Sequence, residues 1–162
     1  MNLLDNVIMM MFLSFVVGVI FDPVLRRVAD YERLSSKYAF RNLRTYEVIG
    51  VLWFRRFLIW TPFGSFNRDI RFTSKRDLDE FRSIRDCMAT AEMSHWIAFA
   101  AMLLLTFVAW WFRGPIVGLA YVFFNIVGNV YPALLQQYNK RRLCRLILVA
   151  QKRGQLEPDA VA

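Results

Sequence analysis

Cysteine and histidine are both scarce, with two cysteines, Cys87 and Cys144, and one histidine, His95, in 162 residues. No metal-ligand spacing is available to so few of them, and a secreted disulfide scaffold is excluded. Neither an internal repeat nor a low-complexity tract is present, so the chain is not a repeat array or a linker-rich assembly. Acidic residues are few as well: 13 Asp and Glu stand against 21 Lys and Arg, a formal net charge of +8. Such an excess ordinarily points to nucleic acid, but its distribution along the chain argues otherwise. What is abundant is apolar. Hydrophobic residues make up 57% and aromatics 16%, including 15 Phe and 5 Trp, which excludes a disordered tail. The length suits one domain, with no room for a separate catalytic domain.

Charge is nearly missing from three stretches, each about as long as the 20 residues of helix that cross a bilayer. Residues 3–21 carry only Asp5. Residues 88–112 carry Glu92 and His95 close to one end, and residues 115–138 have no charged side chain, although Asn125, Asn129, Gln136 and Gln137 interrupt them. The expected architecture is an all-α integral membrane protein, one membrane domain over 1–162, with three transmembrane helices at these positions. The first stretch lacks the basic flank of a secretory signal, and Arg26 and Arg27 follow it as a stop-transfer flank would.

The basic residues then set the orientation. Of the 21, 14 lie in residues 22–87, six follow Tyr138, and Arg113 sits in the short turn between the second and third spans. Lys and Arg stay preferentially on the cytoplasmic side. The prediction is a plasma-membrane protein with its N-terminus outside and residues 22–87 and 139–162 in the cytoplasm. The positive charge then meets anionic lipid headgroups and not nucleic acid. Both cysteines lie on that reducing side.

Within the basic segment, residues 46–60, YEVIGVLWFRRFLIW, are too short and too charged to span. They predict a cytoplasmic interfacial amphipathic helix with Trp53, Phe57 and Trp60 at headgroup depth and Arg55 and Arg56 against phosphates. Residues 74–85 predict a surface helix leading into the second span, capped by Ser74 with Asp77 in the capping-box position.

Ionisable groups inside a span are costly and so are functional candidates. Glu92 and His95 lie three apart on one helix face. Asn125, Asn129, Pro132 and Gln136 fall within a sector of roughly 60° at about 100° per residue. The turn near Arg113 makes the second and third spans an antiparallel hairpin. Eighteen residues back from Arg113 stands His95, and eighteen forward from Gly114 stands Pro132. The polar groups are thus expected at one depth, within a turn or two of the cytoplasmic surface, where Glu92, His95, Asn129 and Gln136 could share a pocket. Pro132 also removes the donor for the Gly128 carbonyl and predicts a kink. The competing interpretation is that the amides serve as interhelical glue, in a non-catalytic membrane subunit or lipid-binding scaffold.

Three segments carry a family resemblance: AEMSHW at 91–96, NVYPALLQQYNKRRL at 129–143, and YEVIGVLWFRRFLIWTPFGSFN at 46–67. Together they resemble the glycosyl-4,4′-diaponeurosporenoate acyltransferases, over about residues 38–147 and with the motif order kept. Gln137 and Lys140 stand where arginines are expected. The resemblance implies a small membrane acyltransferase that moves a fatty acyl group onto the sugar hydroxyl of a lipid-soluble, carotenoid-like glycoside. The implied roles follow from the chemistry. A sugar hydroxyl needs a base, assigned to His95. Glu92 orients or stabilises the imidazole, and Asn129 and Gln136 donate to the oxyanion. Asn125, Tyr138, Asn139, Arg141, Arg142 and Arg145 are expected to bind substrate, the arginines through the phosphates of acyl-CoA or another activated acyl donor, or those of lipids. No permanently bound cofactor or metal is expected. Membrane lipids, the glycoside acceptor and a second copy of the chain are the expected partners.

Overall fold

The computed structural model describes residues 36–60 and 78–152, together with helical residues 9, 12–13, 16–21, 23–24 and 27. Most of the first expected span, 3–21, and the Ser74 cap therefore lie outside the described residues. Among the described residues every regular element is helical. In chain order these are α1 (Leu43–Val48), α2 (Val51–Ile59), α3 (Leu78–Arg113), α4 (Pro115–Asn125), a π-helical turn (Ile126–Val130) and α5 (Tyr131–Lys152).

Two helical stretches are long and apolar enough to cross a membrane, Ser83–Arg113 and Pro115–Val149. A core helix of a water-soluble domain would pass the same length test but would be mostly covered. Here only 22% and 28% of the most apolar windows are buried within the protein. Leu104, Phe107, Trp111, Phe112, Ile116, Leu119 and Phe123 all face outward, which is how helices present themselves to lipid. The chain is accordingly membrane-associated.

Two units make up the chain, Met1–Tyr38 with Thr90–Leu134, and Ala39–Ala89 with Leu135–Ala162. In the first, α3 and α4 form the expected antiparallel hairpin. Gly114 turns the chain at φ 90°, a left-handed conformation that disfavours any side chain, and Pro115 opens α4 at its first turn, where its missing N–H costs nothing. Met102, Ala109 and Tyr121 pack together, with Leu105, Val117 and Phe124 around them. Gly118 lets the arms close: a Cβ there would sit 2.6 Å from Trp110 Cε3 and 2.9 Å from its Cβ. Trp110 and Phe124 thus do packing work, while Trp111 and Phe123 look out. Gly18, in the helical residues 16–21, likewise lies against the Ser94 carbonyl and Ala98 of α3. Small residues permitting close backbone approach are the usual means of helix association in lipid, where no hydrophobic force drives it.

The second unit holds α1 and α2. The sequence predicts one helix over 46–60, but the structure breaks it. α1 starts at the Asn42 cap, whose side chain accepts from the Arg44 N–H, and ends before Gly50, which adopts φ 87°. The Ile49 and Gly50 N–H groups return to the Thr45 and Glu47 carbonyls, closing α1 as an αL glycine cap does. α2 then turns Val51 and Phe54 inward and leaves Trp53, Phe57 and Trp60 exposed, with Trp53 and Phe57 stacked at 6.4 Å between centroids. Two further boundaries move. The expected surface helix at 74–85 and the second span are one element, since α3 is continuous from Leu78, and helix persists beyond residue 138 to Lys152. No proline or glycine interrupts either junction, and backbone hydrogen bonding continues through a change from apolar to charged side chains.

Before Pro132, where the sequence predicts a kink, the winding of the helix changes. The turn before it is wound as a π-helix, in which the Tyr131 N–H reaches the Ile126 carbonyl. A proline clashes with the carbonyl four residues earlier. Accommodating one extra residue in the preceding turn relieves that clash without unwinding the helix.

Candidate functional site

The buried polar side chains of the first unit gather on the inner face of the hairpin. Glu92 is 1% exposed, Asn125 1% and Asn129 4%, and His95 is half-buried one turn beyond Glu92. Hydrogen bonds join three of them, His95, Asn129 and Asn125, in series. His95 is hydrogen-bonded to the Asn129 side chain. Asn129 Nδ2 donates to Asn125 Oδ1 at 2.8 Å, and Asn125 Nδ2 donates to the Phe99 carbonyl oxygen at 3.1 Å. With the Asn129 nitrogen directed at Asn125, its carbonyl oxygen is the group presented to an imidazole N–H. The relay then has one sense: imidazole to amide, amide to amide, amide to backbone.

The relay starts and ends on α3. Asn125 is the last residue of α4 and Asn129 lies in the π turn, so the polar stripe reaches across the hairpin twice. The depth match differs from the sequence count. His95 meets Asn129, three residues before Pro132, a displacement of about 4.5 Å along a helix. The Phe99 carbonyl, four residues from His95, meets Asn125, four residues from Asn129, so one register explains both contacts. Nearby, the buried Thr106 hydroxyl donates to the Met102 carbonyl at 2.8 Å, a local satisfaction that needs no partner helix.

Gln136, expected on the same stripe, is half-buried and falls in the other unit, whereas its neighbour Gln137 is 4% exposed. The π turn supplies the reason. It lies between Asn125 and Gln136 and holds more residues per turn than an α-helix, so 100° per residue does not carry the stripe through to Gln136.

The second unit has its own polar centre, which sequence reasoning did not assemble. Gln137 Oε1 accepts from the Tyr46 hydroxyl at 2.8 Å and from the Ala39 N–H at 2.9 Å. Tyr46 is fully buried, and its oxygen also accepts from the Phe40 N–H at 3.3 Å. Since a phenol has one proton, and Gln137 receives it, the longer approach to the Phe40 carbonyl is secondary. Beside this lies Tyr138, 6% exposed, whose hydroxyl donates to Glu47 Oε1 at 3.3 Å and whose ring carries the Arg142 guanidinium 5.9 Å from its centroid. Arg141 donates to the Arg41 carbonyl oxygen. Asn139 and Lys140 are buried, and Arg145 is exposed.

The structure therefore joins His95, Asn129 and Asn125 in one unit, and Tyr138 and Arg142 in the other. It gives Arg141 a backbone partner. Gln137, Tyr46 and Glu47 are the residues the sequence did not single out. Their only prior signal was an amide and a tyrosine in apolar runs 91 residues apart. Cys87 and Cys144 are free thiols, and among the described residues no three His, Cys, Asp or Glu side chains group as metal ligands.

Comparison with known proteins gives one finding. A family model described as glycosyl-4,4′-diaponeurosporenoate acyltransferase matches residues 29–148. That range contains both polar centres. No curated protein and no solved structure matches the chain.

Proposed function

Given that this chain belongs to the glycosyl-4,4′-diaponeurosporenoate acyltransferase family, an acyltransferase family of carotenoid glycosyl ester biosynthesis, we propose that its chemical step is run by His95. The relay from His95 through Asn129 and Asn125 to the Phe99 carbonyl is the observation that carries this reading. One imidazole nitrogen is occupied as donor to Asn129. That fixes the tautomer and leaves the other nitrogen with its lone pair, the arrangement a general base needs.

The reaction follows. The free imidazole nitrogen accepts the proton of a sugar hydroxyl while that oxygen attacks the acyl carbonyl of an activated donor such as an acyl thioester. The tetrahedral intermediate collapses, the carbon–sulfur bond breaks, and the imidazolium returns its proton to the departing thiolate. Proton and charge balance at each stage. Asn129 acts here as the positioning residue for His95, as the third member of a His-containing catalytic set does elsewhere. This replaces a role in the oxyanion site, because its nitrogen is directed at Asn125. Glu92 lies one turn away on the same helix and is buried. The acceptor is a lipid-soluble glycoside that reaches the hairpin from the bilayer. The excess of basic residues in 22–87 and after Tyr138 supports a cytoplasmic place for those segments at the plasma membrane, where activated acyl donors are made.

His95→Gln tests the proposal. Assayed for acyl transfer in membranes, after insertion has been verified, it should lose most activity. A correctly inserted H95Q protein with unchanged transfer removes His95 from the mechanism.

A further inference from the structure

Three arginines close together in sequence, Arg141, Arg142 and Arg145, have different surroundings in the second unit. Arg141 donates to the Arg41 carbonyl, so its guanidinium serves to hold the segment before α1. Arg142 instead lies over the Tyr138 ring, 5.9 Å from the centroid. A guanidinium stacked on an aromatic face is held in place while its N–H edge stays available for planar recognition. Arg142 is exposed, so that edge is open to a ligand from outside.

The charges around Tyr138 are unequal. Its hydroxyl donates to Glu47 Oε1 at 3.3 Å, and besides Glu47 and Arg142 it feels the charge of Arg55 on α2. Arg55 and Arg142 are 87 positions apart in sequence, yet both act on one phenol oxygen. Arg142 lies on the ring and Glu47 at the hydroxyl, and the carboxylate belongs to an exposed residue. An exposed guanidinium held on an aromatic ring, with a second cation in the neighbourhood, favours a phosphate oxyanion as ligand.

We propose that Arg142 and Arg55, arranged around Tyr138, form a phosphate-binding site for a phosphate ester. Glu47 is the internal anion that occupies the Tyr138 hydroxyl until the ligand arrives. The site deepens the acyltransferase reading and rests on it for its purpose, since a coenzyme-type acyl donor and a phospholipid headgroup both carry such a group. Its occupancy is separable from catalysis, because His95 takes no part in it.

The full-length protein in phosphatidylcholine nanodiscs provides the test, with unacylated coenzyme A as the probe and calorimetry as the readout. Arg142→Gln and Arg55→Gln should each weaken coenzyme A binding about threefold to tenfold, the scale of one partly exposed charge-assisted contact. Arg142→Lys, which keeps the charge but loses the planar fork, should fall between. Glu47→Gln should tighten binding by removing the competing anion. Arg113→Gln, at the hairpin turn, should bind as wild type, and so should His95→Gln, which would be inactive if the catalytic reading holds. If coenzyme A binding is indifferent to R142Q and R55Q but retention of phosphatidylglycerol, measured by native mass spectrometry, falls in the same variants, the phosphate is that of a lipid headgroup and the site stands. If neither ligand responds to either arginine, the site is overturned.

Discussion

Asn129 Nδ2 donates to Asn125 Oδ1 at 2.8 Å, four residues back along the chain and across the boundary between α4 and the π turn. Each amide spends its nitrogen on the next group in the relay and so keeps its oxygen for the previous one. An imidazole half-buried in a membrane hairpin is thereby tied to a backbone carbonyl of its own helix, Phe99, through two side chains of the opposite arm. Rotating either amide breaks two bonds, which is why such a relay orients a ring more firmly than a single contact would.

The catalytic reading predicts a hierarchy. His95→Gln should lower kcat by about 10²–10⁴, the usual contribution of a positioned base. Asn129→Ala should cost less, about tenfold to a hundredfold in kcat with KM nearly unchanged, because the base persists but loses its orientation. The double variant should be no slower than H95Q alone, since residues acting as a unit are not additive. Single-turnover acyl transfer in nanodiscs measures all three.

Asn125 should behave as a structural anchor. It is 1% exposed, with its nitrogen on Phe99 and its oxygen on Asn129. Asn125→Leu leaves the Asn129 nitrogen and the Phe99 carbonyl without this partner and should cost about 1–3 kcal/mol of stability. Unfolding in mixed micelles gives the number, and a stability equal to wild type would mean that the two groups find other partners.

The π turn yields a paired comparison. Gln137→Leu deprives the Tyr46 hydroxyl and the Ala39 N–H of their shared acceptor and should destabilise by about 1–3 kcal/mol. Gln136→Leu, one residue earlier and half-buried, should stay within about 0.5 kcal/mol of wild type. Equal losses in the two variants would remove Gln137 as the shared acceptor. The same micelle unfolding assay decides it.

Close approach at the hairpin is testable at two glycines. Gly118→Leu must displace Trp110, whose ring and Cβ both lie under 3 Å from the added Cβ, and should cost about 1–3 kcal/mol as overpacking does. Gly114→Ala forces a side chain into φ 90° with open space around it, so its cost is backbone strain alone, about 1–2 kcal/mol. Thermal melts of the two variants beside wild type separate the steric from the conformational effect.

Much of this was legible residue by residue. The nearly uncharged runs at 88–112 and 115–138 anticipate the hairpin, and Arg113-Gly114-Pro115 marks its turn. Periodicity placed Asn125 and Asn129 on one face, and a side-chain hydrogen bond joins them there. It failed at Gln136, because 100° per residue assumes a uniform helix. A single helix over 46–60 also failed: apolar spacing runs through Gly50, and only the backbone reveals that this glycine is left-handed. The Tyr46 and Gln137 contact had no local signal at all.

Two features come from composition and order alone: an α-helical membrane protein, because uncharged runs of that length leave backbone groups satisfied only by helix, and a lone imidazole placed among amides near one end of a hairpin. Membership of an acyltransferase family was equally legible in the three motif segments. The folded chain alone decided which amide each group bonds, that Gln137 is more enclosed than Gln136, and that Arg142 lies over the Tyr138 ring. Those outcomes depend on how one helix is wound around a proline and on which segments meet across about 90 residues of chain, and neither is a property of local spacing.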